Sequence, residues 1–316
     1  MTDVLLKSLG ALLILVALAM ALLRAPDRPV ESLVARWAPP PSDFIDVKGQ
    51  LVHLRDEGPR NDLVPVVLIH GTSASLHTWE GWVAALKTQR RVITLDLPGF
   101  GLTGPYTGQY DPDDYSGDGY ARFVLDVLDR LQVQRFVIGG NSLGGEVAWR
   151  TAYAARDRVE RLILVDSAGL PFDRKAAPLA WWIARTPGLG WLSESMLPRS
   201  LVQQGLESVY GHPERITPAL VDRYLEISLR DGNRRALGQR LRQMDFGTDA
   251  ARLDTLKLPT LILWGGQDRL FTPDLGREFQ RRIAGSQLQL FDDLGHVPHE
   301  EDAARTVQPV KAFLGL

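Results

Sequence analysis

The chain has 316 residues, 45% of them hydrophobic and 23% charged, with 36 basic against 38 acidic side chains and a net charge of −2. This composition is that of a globular protein, and the balanced charge leaves no basic surplus to hold nucleic acid. The lack of cysteine excludes a disulfide framework, a thiol nucleophile and any cysteine-ligated metal.

In chain order, the first distinct segment is residues 1–24. Val4 to Leu23 is apolar in character, with a single charge at Lys7. Twenty helical residues at about 1.5 Å each span about 30 Å, the thickness of a bilayer core. The segment therefore reads as a transmembrane anchor contacting the membrane through residues 4–23. The competing reading is a signal peptide cleaved after Ala19 or Ala21. A very short tail followed by a large domain puts that domain on the outer face, periplasmic or extracellular; cleavage would instead secrete it. Residues 25–42, with five prolines, read as a stiff tether.

From residue 43 the pattern is one of short strands alternating with amphipathic helices. Phe44–Val47 and Leu51–Arg55 flank Lys48-Gly49-Gln50 as a hairpin. Val64–Ile69, Val92–Leu95, Phe136–Ile138, Leu162–Val165 and Thr260–Leu263 are continuous aliphatic runs, as strands covered on both faces require. Helical stretches between them predict a doubly wound, mostly parallel α/β sheet. The alternation stops between residues 171 and 247, a region rich in Trp, Pro and Arg with no convincing strand. It reads as a helical cap inserted between a first core part, 43–170, and a second, 248–316. Trp181, Trp182 and Trp191 are expected to fill the cap's own small core.

Two motifs are decoys. Gly99-Phe100-Gly101-Leu102-Thr103-Gly104 matches a dinucleotide fingerprint, but Pro105 and loop residues follow where a helix must start. Asp111–Asp118 fails as a calcium loop at its ligand and glycine positions. The informative motif is Gly140-Asn141-Ser142-Leu143-Gly144, set between a strand and a helix. That context makes it a nucleophile elbow, with Ser142 on a sharp turn and the Leu143 N–H aimed at a developing oxyanion. A serine nucleophile needs a base, and the base an orienting acid. His296 follows the Leu288–Phe291 strand and Asp268 follows Leu261–Leu263. Asp166, after Leu162–Val165, also satisfies the chain order and is the alternative acid. His70-Gly71-Thr72 ends an earlier strand, and the Thr72 N–H is the second candidate oxyanion donor. Asp96 and His70 read as structural turn residues, and His53, His77 and His212 as surface or packing residues. His299 should point away from the site. No metal or cofactor motif is present.

With these motifs in order, residues 43 to the end resemble the α/β-hydrolase superfamily, in its capped, single-chain bacterial type. That type includes carboxylesterases, lipases and meta-cleavage-product hydrolases. The resemblance implies a serine hydrolase with a Ser142-His296-Asp268 triad, no cofactor, and a small, hydrophobic ester as substrate. C–C bond hydrolysis or lactone opening with the same triad is the alternative; Arg185 or Arg199 would then supply charge for an anionic substrate. A membrane-tethered binding protein with an inactive elbow is the third.

Overall fold

The structure, a computed structural model, describes residues 7, 8, 10, 14, 23–173, 179–186, 188–244 and 247–316. The candidate span 4–23 thus lies almost wholly outside the described residues. Among those described, no helix is long and apolar enough to cross a membrane.

Residues 25–42 are not a free tether. They carry helix α1 (Glu31–Trp37), which buries Leu33, and they bond to the cap: Ala25 N–H donates to Ser195 O (2.9 Å) and Arg28 N–H to Leu229 O (2.6 Å). Arg36 and Trp37 both donate to Glu226. Prolines set the backbone here, but polar partners on the cap fix where it lies.

Strands β1 (Ser42–Val47) and β2 (Gln50–Glu57) form the expected hairpin. Its two-residue turn places Lys48 and Gly49 at positive φ, the conformation that matches strand twist. The chain continues through β3 (Val66–Ile69), α2 (Glu80–Leu86) and β4 (Val92–Leu95). Helix α3 (Gly117–Arg130) starts three residues earlier than its apolar pattern suggests, because Ser116 Oγ caps it by accepting the Gly119 N–H at 3.0 Å. Its Tyr120, Phe123, Val124, Val127 and Leu128 share one buried face. Strand β5 (Phe136–Asn141), helix α4 (Leu143–Ala154) and strand β6 (Val159–Val165) follow.

The cap holds α5 (Leu179–Arg185), α6 (Gly190–Ser195), α7 (Arg199–Val209), α8 (Pro218–Ser228) and α9 (Asn233–Arg242). Its tryptophans do not form a core. Trp182 and Trp191 are exposed at 37% and 48%, and only Trp181 packs against the main core. The chain closes with β7 (Thr260–Gly265), α10 (Pro273–Arg282), β8 (Gln287–Phe291), α11 (Pro298–Glu301) and α12 (Ala303–Leu314).

The eight strands form one sheet in the order β1-β2-β4-β3-β5-β6-β7-β8. It is antiparallel from β1 to β4 and parallel from β4 through β8. Central strands β3 and β5 are buried throughout. Each fully buried Leu, Ile or Val contributes about 1.5–3 kcal/mol. Apolar clusters cover both faces of the sheet, and parallel pairing holds β3, β5, β6 and β7 in one register. The C-terminal ends of β5, β6 and β7 therefore meet at a fixed place beneath the cap.

Candidate active site

Ser142 lies between β5 and α4 with φ 54° and ψ −117°. A left-handed backbone at a residue other than glycine costs about 1–3 kcal/mol and persists only where neighbours hold it. Here the Ser142 N–H donates to Val165 O (3.0 Å), and its carbonyl accepts from the N–H groups of Glu146 (3.1 Å) and Ala168 (3.0 Å). The flanking glycines are needed for close approach. A Cβ at Gly140 would lie 2.1 Å from Gly144 O, and one at Gly144 would lie 2.0 Å from Ile69 O.

Past β7, Asp268 has both carboxylate oxygens engaged. Oδ1 accepts the N–H groups of Leu270 (2.8 Å) and Phe271 (2.9 Å), and Oδ2 accepts from His296 Nδ1 at 2.6 Å. Two atoms that ligate one tetrahedral ion at about 2.0–2.2 Å each lie about 3.4 Å apart, so the 2.6 Å separation is that of a hydrogen bond. His296 is held from three sides: its N–H donates to Val209 O (2.7 Å), its carbonyl accepts from Asn141 Nδ2 (2.9 Å), and the Phe271 ring meets the imidazole edge-on at 5.1 Å. No hydrogen bond joins Ser142 Oγ to the imidazole among the described residues. In resting serine hydrolases that contact is often long and tightens with substrate.

Thr72, Ser142 and Leu143 line one cavity. Leu143 is the first residue of α4, so its N–H has no intrahelical acceptor. The walls include Leu170, Phe172, Trp181, Met244 and Phe271, with Arg240 as the one charged residue among them. The guanidinium of Arg240 is already engaged, through Nη2 to Glu146 Oε2 (2.6 Å) and Nη1 to Tyr115 O (3.2 Å). Arg185 and Arg199 do not line this cavity. Arg185 lies over the Trp182 ring, and Arg199 bonds Asp222 and Pro218 O.

The serine elbow opens on this cavity, and the histidine of the His296–Asp268 pair packs edge-on against Phe271 in its wall. Residues 64–303 match the alpha/beta hydrolase fold family. The chain belongs to that family. Among relatives of this α/β-hydrolase, an uncharacterised protein of Mycobacterium tuberculosis is 30% identical over 303 residues, covering 91% of this chain and 84% of the relative. A 2-hydroxy-6-oxononadienedioate/2-hydroxy-6-oxononatrienedioate hydrolase of Pseudomonas sp is 28% identical, covering 86% and 96%. Among solved structures, a meta-cleavage product hydrolase from Pseudomonas fluorescens IP01 superposes with a TM-score of 0.72 at 26% identity, covering 86% of this chain and 97% of that one.

The remaining polar groups of the α/β-hydrolase core divide clearly. Asp96 braces the loops beside the site, accepting from Leu76 N–H (2.7 Å), Leu102 N–H (2.8 Å) and His53 Nδ1 (2.6 Å). His53 is thus a fully buried partner of Asp96, with no surface role. His77 is buried as well, and burial depresses its pKa to about 4. Burial also lowers His70, whose Nε2 accepts the Leu97 N–H at 3.0 Å. His299 lies against Trp79, ring centroids 4.1 Å apart and tilted by 34°, and pairs through Nε2 with Thr78 Oγ1 (3.0 Å). His212 is partly exposed between Glu214 and Asp293. Asp166, the alternative acid, sits at the end of β6 with Oδ1 accepting the Gly265 N–H at 2.9 Å. Sequence reasoning missed Arg240. Its signal was Glu146, an acid on a helix otherwise apolar enough to be buried, which requires a cationic partner.

Proposed function

We propose that this α/β-hydrolase cleaves carboxylic esters with apolar acyl groups through a covalent acyl-enzyme on Ser142. His296 Nε2 takes the Ser142 proton as Oγ attacks the ester carbonyl carbon. The N–H groups of Thr72 and Leu143 hold the tetrahedral oxyanion, where removal of one such donor typically costs about 10²–10³ in rate. Asp268 fixes the His296 tautomer through the 2.6 Å bond and stabilises the imidazolium. His296 then protonates the leaving alcohol, and water repeats the cycle to free the acid.

The observation that carries the ester assignment is the wall of the cavity. Among the described residues it is apolar apart from Thr72 and Ser142 at the reacting end and Arg240, which pairs with Glu146 at 2.6 Å. An anionic conjugated acid, the substrate class of C–C hydrolases, calls for a cation in the wall, and Arg240, the one described there, already pairs with Glu146. The likeness to the Pseudomonas C–C hydrolases favours the second reading, C–C or lactone hydrolysis by the same three residues.

Hydrolysis of p-nitrophenyl esters from acetate to palmitate, by the full chain and its Ser142→Ala variant, separates the two. Turnover that falls by about 10⁶ in the variant supports the ester assignment. A folded protein that hydrolyses no ester, yet cleaves a 2-hydroxy-6-oxodienoate in a Ser142-dependent way, transfers the assignment to C–C chemistry.

We also propose that residues 4–23 anchor the enzyme, with the catalytic domain on the outer face of the membrane. The support is the length and apolarity of that stretch. Membrane fractionation of cells carrying the full chain or a chain lacking residues 1–24 tests it. A product of the full chain that is found free in the periplasm or medium and begins after Ala19 or Ala21 would favour a cleaved signal.

A further inference from the structure

One buried ionisable group beside the site has no part in this scheme. Asp166 is fully buried, and its backbone lies at φ 42°, in the left-handed region. Oδ1 accepts the Gly265 N–H, while the equally buried Oδ2 finds no hydrogen-bond donor among the described residues. A carboxyl oxygen of Asp166, one of Asp268 and a ring nitrogen of His296 all lie within 4.8 Å of one another. Every donor around Asp268 is accounted for: Leu270 and Phe271 serve Oδ1, and His296 serves Oδ2. The next charged group facing Asp166 is Glu301, which accepts the Gly295 N–H at 2.8 Å. No Lys or Arg pairs with Asp166 among the described residues. Two ionised carboxylates in such a place would repel, and one buried oxygen would stay unsatisfied. A single proton on Asp166 removes both penalties, because its carboxyl then carries a donor with an Asp268 oxygen within 4.8 Å.

We propose that Asp166 is a positioning residue: a neutral carboxylic acid that donates a hydrogen bond to the Asp268 carboxylate and so holds Asp268 in line with His296. It rests on the serine-hydrolase assignment above. Burial first, and the Asp268 charge second, push Asp166 well above the usual carboxylate range. The functional consequence concerns the base. One negative charge behind His296 keeps the imidazolium stabilised during attack. A second full charge within the same 4.8 Å group would favour the imidazolium and so oppose transfer of the Ser142 proton to His296. The neutral acid thus supplies a further donor to Asp268 without adding charge.

The test uses the full-length protein with two substitutions. Asp166→Leu removes both the acceptor for Gly265 and the donor to Asp268. It is expected to lower kcat about tenfold or more with KM little changed. Asp166→Asn keeps an acceptor and a donor in the same shape and is expected to rescue most of that loss, leaving the acidic limb of the kcat/KM profile where the wild type has it. Were Asp166 ionised, the same substitution would remove a charge and move that limb down by about one pH unit or more; that result overturns the proposal. Infrared difference spectra between wild type and Asp166→Asn give a readout independent of turnover. A protonated-carboxyl carbonyl band assigned to Asp166 at about pH 8 is expected, and its absence also overturns the proposal. The band would remain if the ester assignment alone failed. Turnover abolished by a chelator and restored by a divalent ion would reassign Asp166, Asp268 and His296 as metal ligands, against the proposal.

Discussion

Individual residues near the site carry large, opposed electrostatic terms, and pH separates them. Burial alone pushes Asp96 upward, but His53 and the neighbouring imidazoles outweigh it and hold the carboxyl well below the usual carboxylate range. The unfolded chain therefore takes up this proton first, near pH 4, so the stabilisation is present above that value and is lost as pH falls. Asp96→Asn is expected to be less stable than the wild type at neutral pH, with the deficit shrinking below about pH 4 in urea titrations. Asp166 has the opposite sign. Its folded-state pKa is raised, so the native state retains a proton that the unfolded chain releases above about pH 4, and stability declines as pH rises. Asp166→Asn should gain stability over the wild type as pH increases from about 4. A difference independent of pH would contradict that linkage. The elbow is governed by steric contact. Gly144→Ala, with its Cβ 2.0 Å from Ile69 O, should cut ester turnover by more than about 10² through displacement of the Leu143 N–H.

Helices and strands show which parts of the site can be read from sequence. Ser142, Asp268 and His296 each end a strand within a local motif, so a linear reading finds them one at a time. Asp166 was recognisable as a competitor to Asp268, but their proximity depends on β6 and β7 being adjacent and in the register Val165 to Leu263. The His53–Asp96 pair is similarly non-local, since antiparallel pairing of Leu54 with Leu95 brings it together. The cap was legible as an interruption of the β–α alternation, whereas its contacts were not, because they depend on Arg240 of α9 reaching Glu146 of α4. At that contact Arg240 and Glu146 are exposed by 1% and 0%, and Arg150 joins through Glu146 Oε1 at 2.9 Å. Removing one partner of such a buried group leaves charge unpaired, at a cost of about 3–5 kcal/mol. Glu146→Ala should show that loss in chemical denaturation, along with faster proteolysis of the cap. A change below about 1 kcal/mol would mean that water already reaches the network.

Over the whole molecule, the sheet fixes the chemistry and the cap fixes the substrate space, while the segment after residue 24 is bonded to the cap. Asp27 Oδ1 accepts from Arg234 at 2.6 Å, and Arg28 pairs in the chain with Arg230 as an isolated bridge. Composition had marked this stretch as a tether, since prolines dominate it and its partners lie some two hundred residues away. The central claim is that Ser142 is the nucleophile of an acyl-transfer reaction. The measurement that tests it most directly is mass spectrometry of the full chain after reaction with a fluorophosphonate, in parallel with its Ser142→Ala variant. One adduct on the peptide containing Ser142, lost in the variant together with ester turnover, is the predicted result. A folded protein that turns over esters with Ser142 unmodified, or whose Ser142→Ala variant keeps full activity, would contradict it.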